Sequence, residues 1–588
     1  SVVLSISSSF LLAMTVIPSI AGFIDYKFQA PLQGASAKKS WWIDGYQNAW
    51  LSTYYKRSII WVLKNPMAGV GLALILPVIG FLMSTTLPKA FFPPVDRNQF
   101  QVQISNASLT SIEETERSVQ RAREILSEWD EIVDSHWFVG EAAPSVYYNM
   151  MSSESSRSHF ANGFVNTRHV DDPRKILQEV QKRLMAEFPD SRIMAMPFEQ
   201  GPPFSAPIEL RLLGPDLTTL KKVGDQLRLI LSQTTDVTYS DSVLSDSAPQ
   251  VSIYPNENMV GLLGLSNSDI PRQLNSDLAG IRAGSVMEGT VEIPIRVLNS
   301  NNKAVSVSEI GALPLIGRSP GNGYTGIPIE QVAEISLEPG TSVIQRYQGE
   351  HTNSVSGFLL PYAYPSVALK DFKERFSAAE IELPSGYWLE FGGEEEERSD
   401  AISKMVATFV LFVWMMIAVV VLALNSFRYA AVIGAVGFLS VGLALFGVWL
   451  SGYPMGFMAI IGTLGLIGLA INGAIIVLSS LKESPLARAA DINETADIVM
   501  DASRHIISTT ITTIGGFLPL ILFGGHFWPP LAMAIAGGVA GSAILSLYMV
   551  PALFMFFARR DMGRIDVNPT ALVDFHRMEA PESLGLSS

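Results

Sequence analysis

Met405–Leu424, MVATFVLFVWMMIAVVVLAL, is an unbroken run with no charged residue, no side-chain amide and no proline. About 20 apolar residues at 1.5 Å each are enough to cross the hydrocarbon core of a bilayer. Four further runs of the same character follow it: Ala430–Leu450, Met455–Leu481, Ile506–Phe523 and Leu531–Phe557. Two more precede it, Val2–Ile24 and Met67–Leu87. Between Phe91 and Arg398 the chain is mostly polar. The pattern predicts an α-helical polytopic membrane protein with seven transmembrane helices and one large α+β domain outside the bilayer.

Composition agrees. Hydrophobic residues make up 48% of the chain and charged residues only 16%, with a mean hydropathy of +0.28. A net charge of −14 and the lack of a basic stripe exclude nucleic acid as a partner. With no cysteine, disulfides, thiolate metal sites and cysteine nucleophiles are excluded. No paired nucleophile and base, and no glycine-rich phosphate loop, points to an enzyme or an ATPase. No cofactor is expected. The chain opens at Ser1 inside a hydrophobic stretch, without a charged leader, and is expected to lack a large N-terminal part.

Lys and Arg set the orientation. Lys27, Lys38, Lys39, Lys56, Arg57 and Lys64 follow the first run, Arg428 sits in the turn after Met405–Leu424, and Lys482, Arg488 and Arg504 lie in the next loop on that side. Arg559, Arg560 and Arg564 open the tail, whereas the turns Ser451–Pro454 and Gly524–Pro530 hold neither Lys nor Arg. The basic side is read as cytoplasmic and the insert as lying outside the cytoplasm. Trp41–Val62 interleaves aromatics with polar residues and reads as a helix lying in the membrane interface, or as a loop packed on the bundle.

Within the insert, strands are expected at Gln101–Ile104, Ile132–Val139, Ala161–Thr167 and Ile193–Pro197. Helices are expected at Ser111–Trp129 and Asp172–Phe188. That βαβ-βαβ order is the split, ferredoxin-like arrangement. A second such unit opens at Ile208–Leu213, Leu217–Leu231 and Thr238–Ser240. It closes at Ser354–Leu360, Ser366–Phe376 and Tyr387–Phe391, and the Gly-, Pro-, Asn- and Ser-rich segment between its halves reads as an inserted subdomain.

Six passages then carry a specific resemblance: LPKAFFPPVDRNQF (Leu87–Phe100), QGPPFSAPIELRLLG (Gln200–Gly214), GSVMEGTVEIPIR (Gly284–Arg296), FGGEEEE (Phe391–Glu397), GLAINGAIIVL (Gly468–Leu478) and TTITTIGGFLPL (Thr509–Leu520). In this order and spacing the chain resembles the C-terminal half of a resistance-nodulation-division (RND) efflux transporter, of the drug-efflux branch. The resemblance implies a domain plan. Residues 1–24 would be the last helix of a first transmembrane repeat, 25–65 a cytoplasmic linker with an interfacial amphipathic helix, and 66–90 a transmembrane helix. Residues 91–205 would be a periplasmic ferredoxin-like porter subdomain, and 206–254 with 346–398 a second one. Residues 255–345 would be an inserted docking subdomain, 399–558 five transmembrane helices and 559–588 a cytoplasmic tail.

It also implies a bacterial inner-membrane permease, a secondary active proton antiporter exporting drugs or other amphiphilic small molecules. The implied assembly is a homotrimer docked to a periplasmic adaptor and an outer-membrane channel. The alternatives are a metal-exporting RND pump, in which Met150, Met151 and Met196 would bind soft Cu(I), or an RND relative in lipid or protein export. Asn472, Thr509 and Thr510 align with the family's proton-relay positions, or else hydrogen-bond neighbouring helices. Phe138, Tyr147, Tyr148, Met150, Phe164, Met196 and Phe198 align around its substrate pocket, some of them as core. Gly537 and Gly541 form a small-residue motif expected to let helices approach closely.

Overall fold

The computed structural model describes residues 2–562 apart from 29–48, 96, 151–155, 169–172, 245–248, 263, 267, 299–305, 320–322 and 341–342. It divides into two compact units, 1–64 and 65–588. The first holds helices α1 (Val2–Phe28) and α2 (Ala49–Lys64). The expected interfacial segment is therefore helical from Ala49, while Trp41–Asn48 lies outside the described residues.

The expectation of seven spans is corrected to six. Among the described residues six helices are long and apolar enough to cross a membrane: α3 (Pro66–Ser84), α8 (Glu394–Leu424), α9 (Phe427–Ser451), α10 (Phe457–Glu483), α11 (Ile492–Phe523) and the continuous Pro529–Asp561. Val2–Ile24 is not among them. The shorter apolar helix found there among the described residues is Ser7–Phe23. The chain is thus a polytopic α-helical membrane protein with a mixed α/β extramembranous region.

Two of the spans, α9 and α11, have side-chain caps. The Ser426 side chain accepts from Tyr429 N to start α9, and Gly452, at φ 74°, ends it. Asp491 caps α11 by accepting from the amides of Asn493 and Glu494. The last span is α12 (Pro529–Ile544) and α13 (Val550–Met562), joined through a π-helical turn, Leu545–Met549. Helix α9 is central, packing on α3, α10 and α12. The crossing with α3 is backbone on backbone: a Cβ on Gly80 would fall 1.8 Å from the Gly442 carbonyl oxygen, and one on Gly442 would fall 2.4 Å from that of Pro77. On α12 a Cβ at Gly537 would meet Gly447 at 2.9 Å, and one at Gly541 the Leu443 side chain at 2.6 Å.

Outside the bundle, β1 (Gln99–Ser105), α4 (Ile112–Leu126), β2 (Ile132–Val139), β3 (Phe160–Thr167), α5 (Pro173–Glu187) and β4 (Arg192–Pro197) form an antiparallel sheet of order β2-β3-β1-β4. Alternation sends Phe100, Val102 and Ile104 into a core with Val119, Ile125, Val180 and Leu184 of the two helices. Gln99, Gln101 and Gln103 are left on the opposite face. A second sheet repeats the plan with β5 (Ile208–Leu213), α6 (Leu217–Ser232), β6 (Val237–Ser242), β14 (Glu350–Leu359), α7 (Pro365–Ala378) and β15 (Trp388–Gly393). Its path runs β13-β14-β5-β15, with β6 also on β14 and β13 spanning Gln345–Tyr347.

Between β6 and β14 three ribbons are inserted. They pair β7 (Pro249–Pro255) with β12 (Ala333–Pro339), β8 (Ile281–Glu288) with β9 (Val291–Val297), and β10 (Pro314–Ser319) with β11 (Gly323–Pro328). Val260, Ile270, Leu315, Ile329 and Val332 give the insertion its own small core.

The second sheet is tied to α8 by charge. Arg211 on β5 donates to both carboxylate oxygens of Glu396, at 3.1 and 2.7 Å, and to Glu209 at 3.2 Å. The guanidinium also lies 4.8 Å over the Tyr347 ring.

Two outcomes follow from this packing. Gly442→Leu should destabilise the full-length protein by about 1–3 kcal/mol through overpacking, read as a lower melting temperature in detergent. Arg211→Ala should cost about 3 kcal/mol by leaving Glu209 uncompensated, discounted because the group is only partly buried. Arg211→Lys should recover part of that loss, since it keeps charge but not the two-pronged geometry.

Candidate functional site

The helix-free face of the first sheet is one wall of a cavity of about 770 Å³. That wall carries Gln101, Gln103, Asn162, Met194 and Met196, brought level by the pairings Gln101↔Met196, Gln103↔Met194 and Gln103↔Asn162. Residues Phe358–Pro365, running from β14 into α7, face them. The floor is made by the outer ends of the membrane helices, with Phe91, Tyr453, Pro454, Glu394, His526 and Pro530.

The floor is held by a short strap, Leu87–Phe92. Met455 N donates to Pro88 O at 2.9 Å, Phe457 N to Phe91 O at 3.0 Å, and Phe91 N to Glu394 Oε1 at 2.6 Å. Lys89 N donates to the Ser366 hydroxyl at 2.9 Å. Phe92 stacks on Phe527, 6.2 Å between ring centres. One strap therefore touches α7, α8, α10 and the α11–α12 turn.

The wall is chemically unusual. Asn162 is 3% exposed and its Oδ1 has no hydrogen-bond partner among the described residues. Such an orphaned acceptor costs about 1–3 kcal/mol unless an occupant of the cavity supplies a hydrogen. Glu199, in the loop after β4, is pushed up to about 7 by burial, although part of its surface stays open to the cavity. Arg192 is held by Asp241 at 3.0 Å and lies 4.7 Å over the Phe358 ring. Among the described residues no group of three or more His, Asp or Glu side chains converges as a metal cage.

The residues singled out from sequence separate into three places. Met150 and Met196 line the cavity. Phe164 and Phe198, at 8% and 1% exposure, form a closed cluster with Ala143, against which Phe138, Tyr147 and Met150 pack. Phe164 and Phe198 stack at 6.0 Å, and Arg97 lies 5.4 Å over Phe198. Tyr148 is exposed on the surface, and its hydroxyl accepts from Gly201 N at 2.9 Å. Met151 lies outside the described residues.

In the bundle, Asn472 and Thr509 are exposed on α10 and α11 and Thr510 is half-buried. The Thr509 hydroxyl donates to His505 O, one turn back on its own helix, at 2.7 Å. Among the described residues no hydrogen bond joins Asn472 to Thr509. Gly473 beside Asn472 is close to Ser546 of the π-helical turn, 3.1 Å from a built Cβ.

Gln101, Gln103, Asn162, Met194, Glu199 and Glu394 are cleft residues that the sequence reading did not single out. The alternation of β1 was the available signal for the two glutamines. Nothing local marks Glu199 or Asn162, whose burial depends on what packs above them.

The chain matches the model of the AcrB/AcrD/AcrF family over residues 1–558. Among curated relatives, the nickel and cobalt resistance protein CnrA of Cupriavidus metallidurans is 20% identical over 96% of this chain and 52% of its own length. The multidrug resistance protein MdtC of Photorhabdus laumondii is 23% identical over 94% and 52%. The swarming motility protein SwrC of Bacillus subtilis is 19% identical over 95% and 51%. The chain thus spans about half the length of the curated relatives it matches. The crystal structure of a heavy metal efflux pump superposes on 87% of this chain and 52% of its own at a TM-score of 0.70 and 18% identity, a likeness of fold. Heavy-metal and multidrug relatives both lie in that range, so these likenesses do not single out the drug branch. The chain belongs to the AcrB/AcrD/AcrF family of RND-superfamily transporters.

Proposed function

We propose that this chain is the second half of an RND export permease of a bacterial inner membrane, and that its cleft receives the substrate on the periplasmic side. The observation that carries this is the position of the cavity, enclosed by the wall of one sheet, the strand-to-helix turn of the next and the outer ends of the spans. Pockets at such junctions are the usual binding sites of small ligands. The rest of the reading follows the family: a proton gradient as energy source, a trimer, and docking to an adaptor and an outer-membrane channel through residues 255–345. Asn472 and Thr509, exposed on neighbouring helices, would meet the carboxylates of the other half.

For the substrate class, metal cations have the better support. Three relatives named for nickel, cobalt, zinc or cadmium resistance align over 87–96% of the chain, and the superposed structure is a heavy metal pump. The cleft offers the thioethers of Met150, Met194 and Met196 and the amide oxygens of Gln101, Gln103 and Asn162, a set suited to weak, releasable binding of softer cations. Amphiphile export is the second reading, favoured by one observation: about 770 Å³ is far more space than a cation needs and suits an organic molecule.

Growth of an exporter-deficient host carrying the full-length gene separates the two. Under the metal reading, tolerance of nickel, cobalt, cadmium, zinc or copper rises at least several-fold, and Met196→Ala lowers it with membrane abundance unchanged. Tolerance confined to dyes and quaternary ammonium detergents, and reduced by Phe358→Ala in the cavity lining with membrane abundance unchanged, would establish the second reading instead.

Orientation has its own check, because the chain has no native cysteine. Ser285→Cys on the exposed β8 strand should react with a membrane-impermeant maleimide in whole cells, and Glu483→Cys should not.

A further inference from the structure

We propose that the exposed face of α2 binds anionic phospholipid headgroups through a stripe of aromatic and basic side chains. The proposal is independent of which substrate the cleft receives.

Helix α2, AWLSTYYKRSIIWVLK, holds three basic residues and no acidic one, in a chain whose net charge is −14. At about 100° per residue, positions i, i+4, i+7, i+11 and i+14 fall on one strip of a helix, about 80° wide. In α2 these positions are Trp50, Tyr54, Arg57, Trp61 and Lys64, and all five are exposed. The three rings are 66%, 55% and 51% open in that order. Ile59, Val62 and Leu63, on the opposite side of the helix, are buried. The helix therefore turns its aliphatic side inward and its largest rings outward.

The order along the stripe matters. Trp50 and Tyr54 lie together, with ring centres 4.6 Å apart, and Arg57 follows one turn on. Trp61 is a turn beyond Arg57, and Lys64 closes the stripe about 21 Å from its start. Each cation thus has an aromatic side chain one turn away. Lys56, the third basic residue, is off the stripe and half-buried.

Three features select a bilayer surface as the occupant. The first is continuity with a span: Asn65 alone separates Lys64 from Pro66, where α3 begins. A helix joined so closely to a span stays within reach of the headgroups. The second is side-chain chemistry. Trp and Tyr rest at headgroup depth, with the ring in the apolar boundary and the N–H or O–H in water, while Lys and Arg extend their charges to the phosphates. The third is charge complementarity. With no carboxylate in α2 the stripe is purely positive, and an anionic leaflet attracts juxtamembrane Lys and Arg. A phosphodiester offers charged oxygens to the planar fork of Arg57 and to the point charge of Lys64. A zwitterionic headgroup carries an ammonium of its own that offsets this attraction, so the stripe discriminates by net headgroup charge.

The test uses the full-length protein in phosphatidylcholine nanodiscs with a bimane fluorophore on Thr53→Cys, an exposed position beside the stripe. This chain has no cysteine of its own, and any in the other half is replaced by serine. Phosphatidylglycerol or phosphatidylcholine carrying the same nitroxide near the glycerol end of one acyl chain is added as a minor component. At low salt the labelled phosphatidylglycerol should quench several-fold more strongly than the labelled phosphatidylcholine, and high salt should remove most of the difference. Arg57→Gln combined with Lys64→Gln should bring the two lipids near parity, each cation contributing about fivefold to the local enrichment. Lys56→Gln should keep most of the preference. Gel filtration and melting curves confirm that each variant is folded. Equal quenching by the two lipids in the wild type, a preference surviving the double glutamine variant, or one lost equally in Lys56→Gln would overturn the proposal. So would a label that neither lipid quenches, the result for a stripe covered by protein.

Discussion

The two hydrogen bonds of Phe91, from its N–H to Glu394 and from Phe457 N to its carbonyl oxygen, bind the extramembranous region to the bundle. A strap crossing the ends of several helices has no ladder of its own, so each of its buried polar groups needs a partner from a neighbouring element. Here the partners come from the heads of α8 and α10, with Ser366 at the head of α7 holding Lys89. The same contacts that satisfy the strap also fix the spacing of those helices and close the floor of the cleft. Phe91 and Phe92 add ring contacts to Phe457 at 5.7 and 5.1 Å.

The cleft exists because each sheet is covered by helices on one face only. In the first sheet every second residue of β1 is spent on the core with α4 and α5. The alternate residues are free to carry amides and thioethers. Asn162 and Glu199 are poor choices for stability, since one buries an unsatisfied oxygen and the other a carboxyl group whose pKa burial raises to about 7. Groups that cost stability in an otherwise well-packed region are characteristic of places where a ligand or a proton completes the arrangement. Beside them the cluster of Phe164, Phe198 and Tyr147 is tightly packed and backs the wall, so it shapes the cavity without opening into it.

At 18–23% identity the relatives share the architecture while their names divide between metal and drug resistance. Fold is set by many interchangeable apolar contacts, whereas substrate choice rests on a few side chains projecting from the free face of a sheet. The bundle tolerates little exchange at its closest crossings, where Gly80 and Gly442 leave no room for a Cβ. The cleft wall has no such restriction.

Met405–Leu424 and the four runs after it were legible in the sequence because a span must satisfy its backbone internally and present apolar side chains over a fixed length. Val2–Ile24, which the same rule counted, is not among the six spans of the described residues. The strands of both sheets were legible from period-two alternation, as in Gln99–Ser105. The aromatic candidates were legible only as residue types. Whether Phe198 faces a ligand or a core, and whether Glu199 is buried or solvated, depends on elements far away in the chain: Glu394 comes to the same cavity as Glu199, and Phe91 to Glu394, by tertiary packing alone. Local propensity sets helices, strands and their faces; the burial and pairing of a polar group are set by whatever else the fold brings against it.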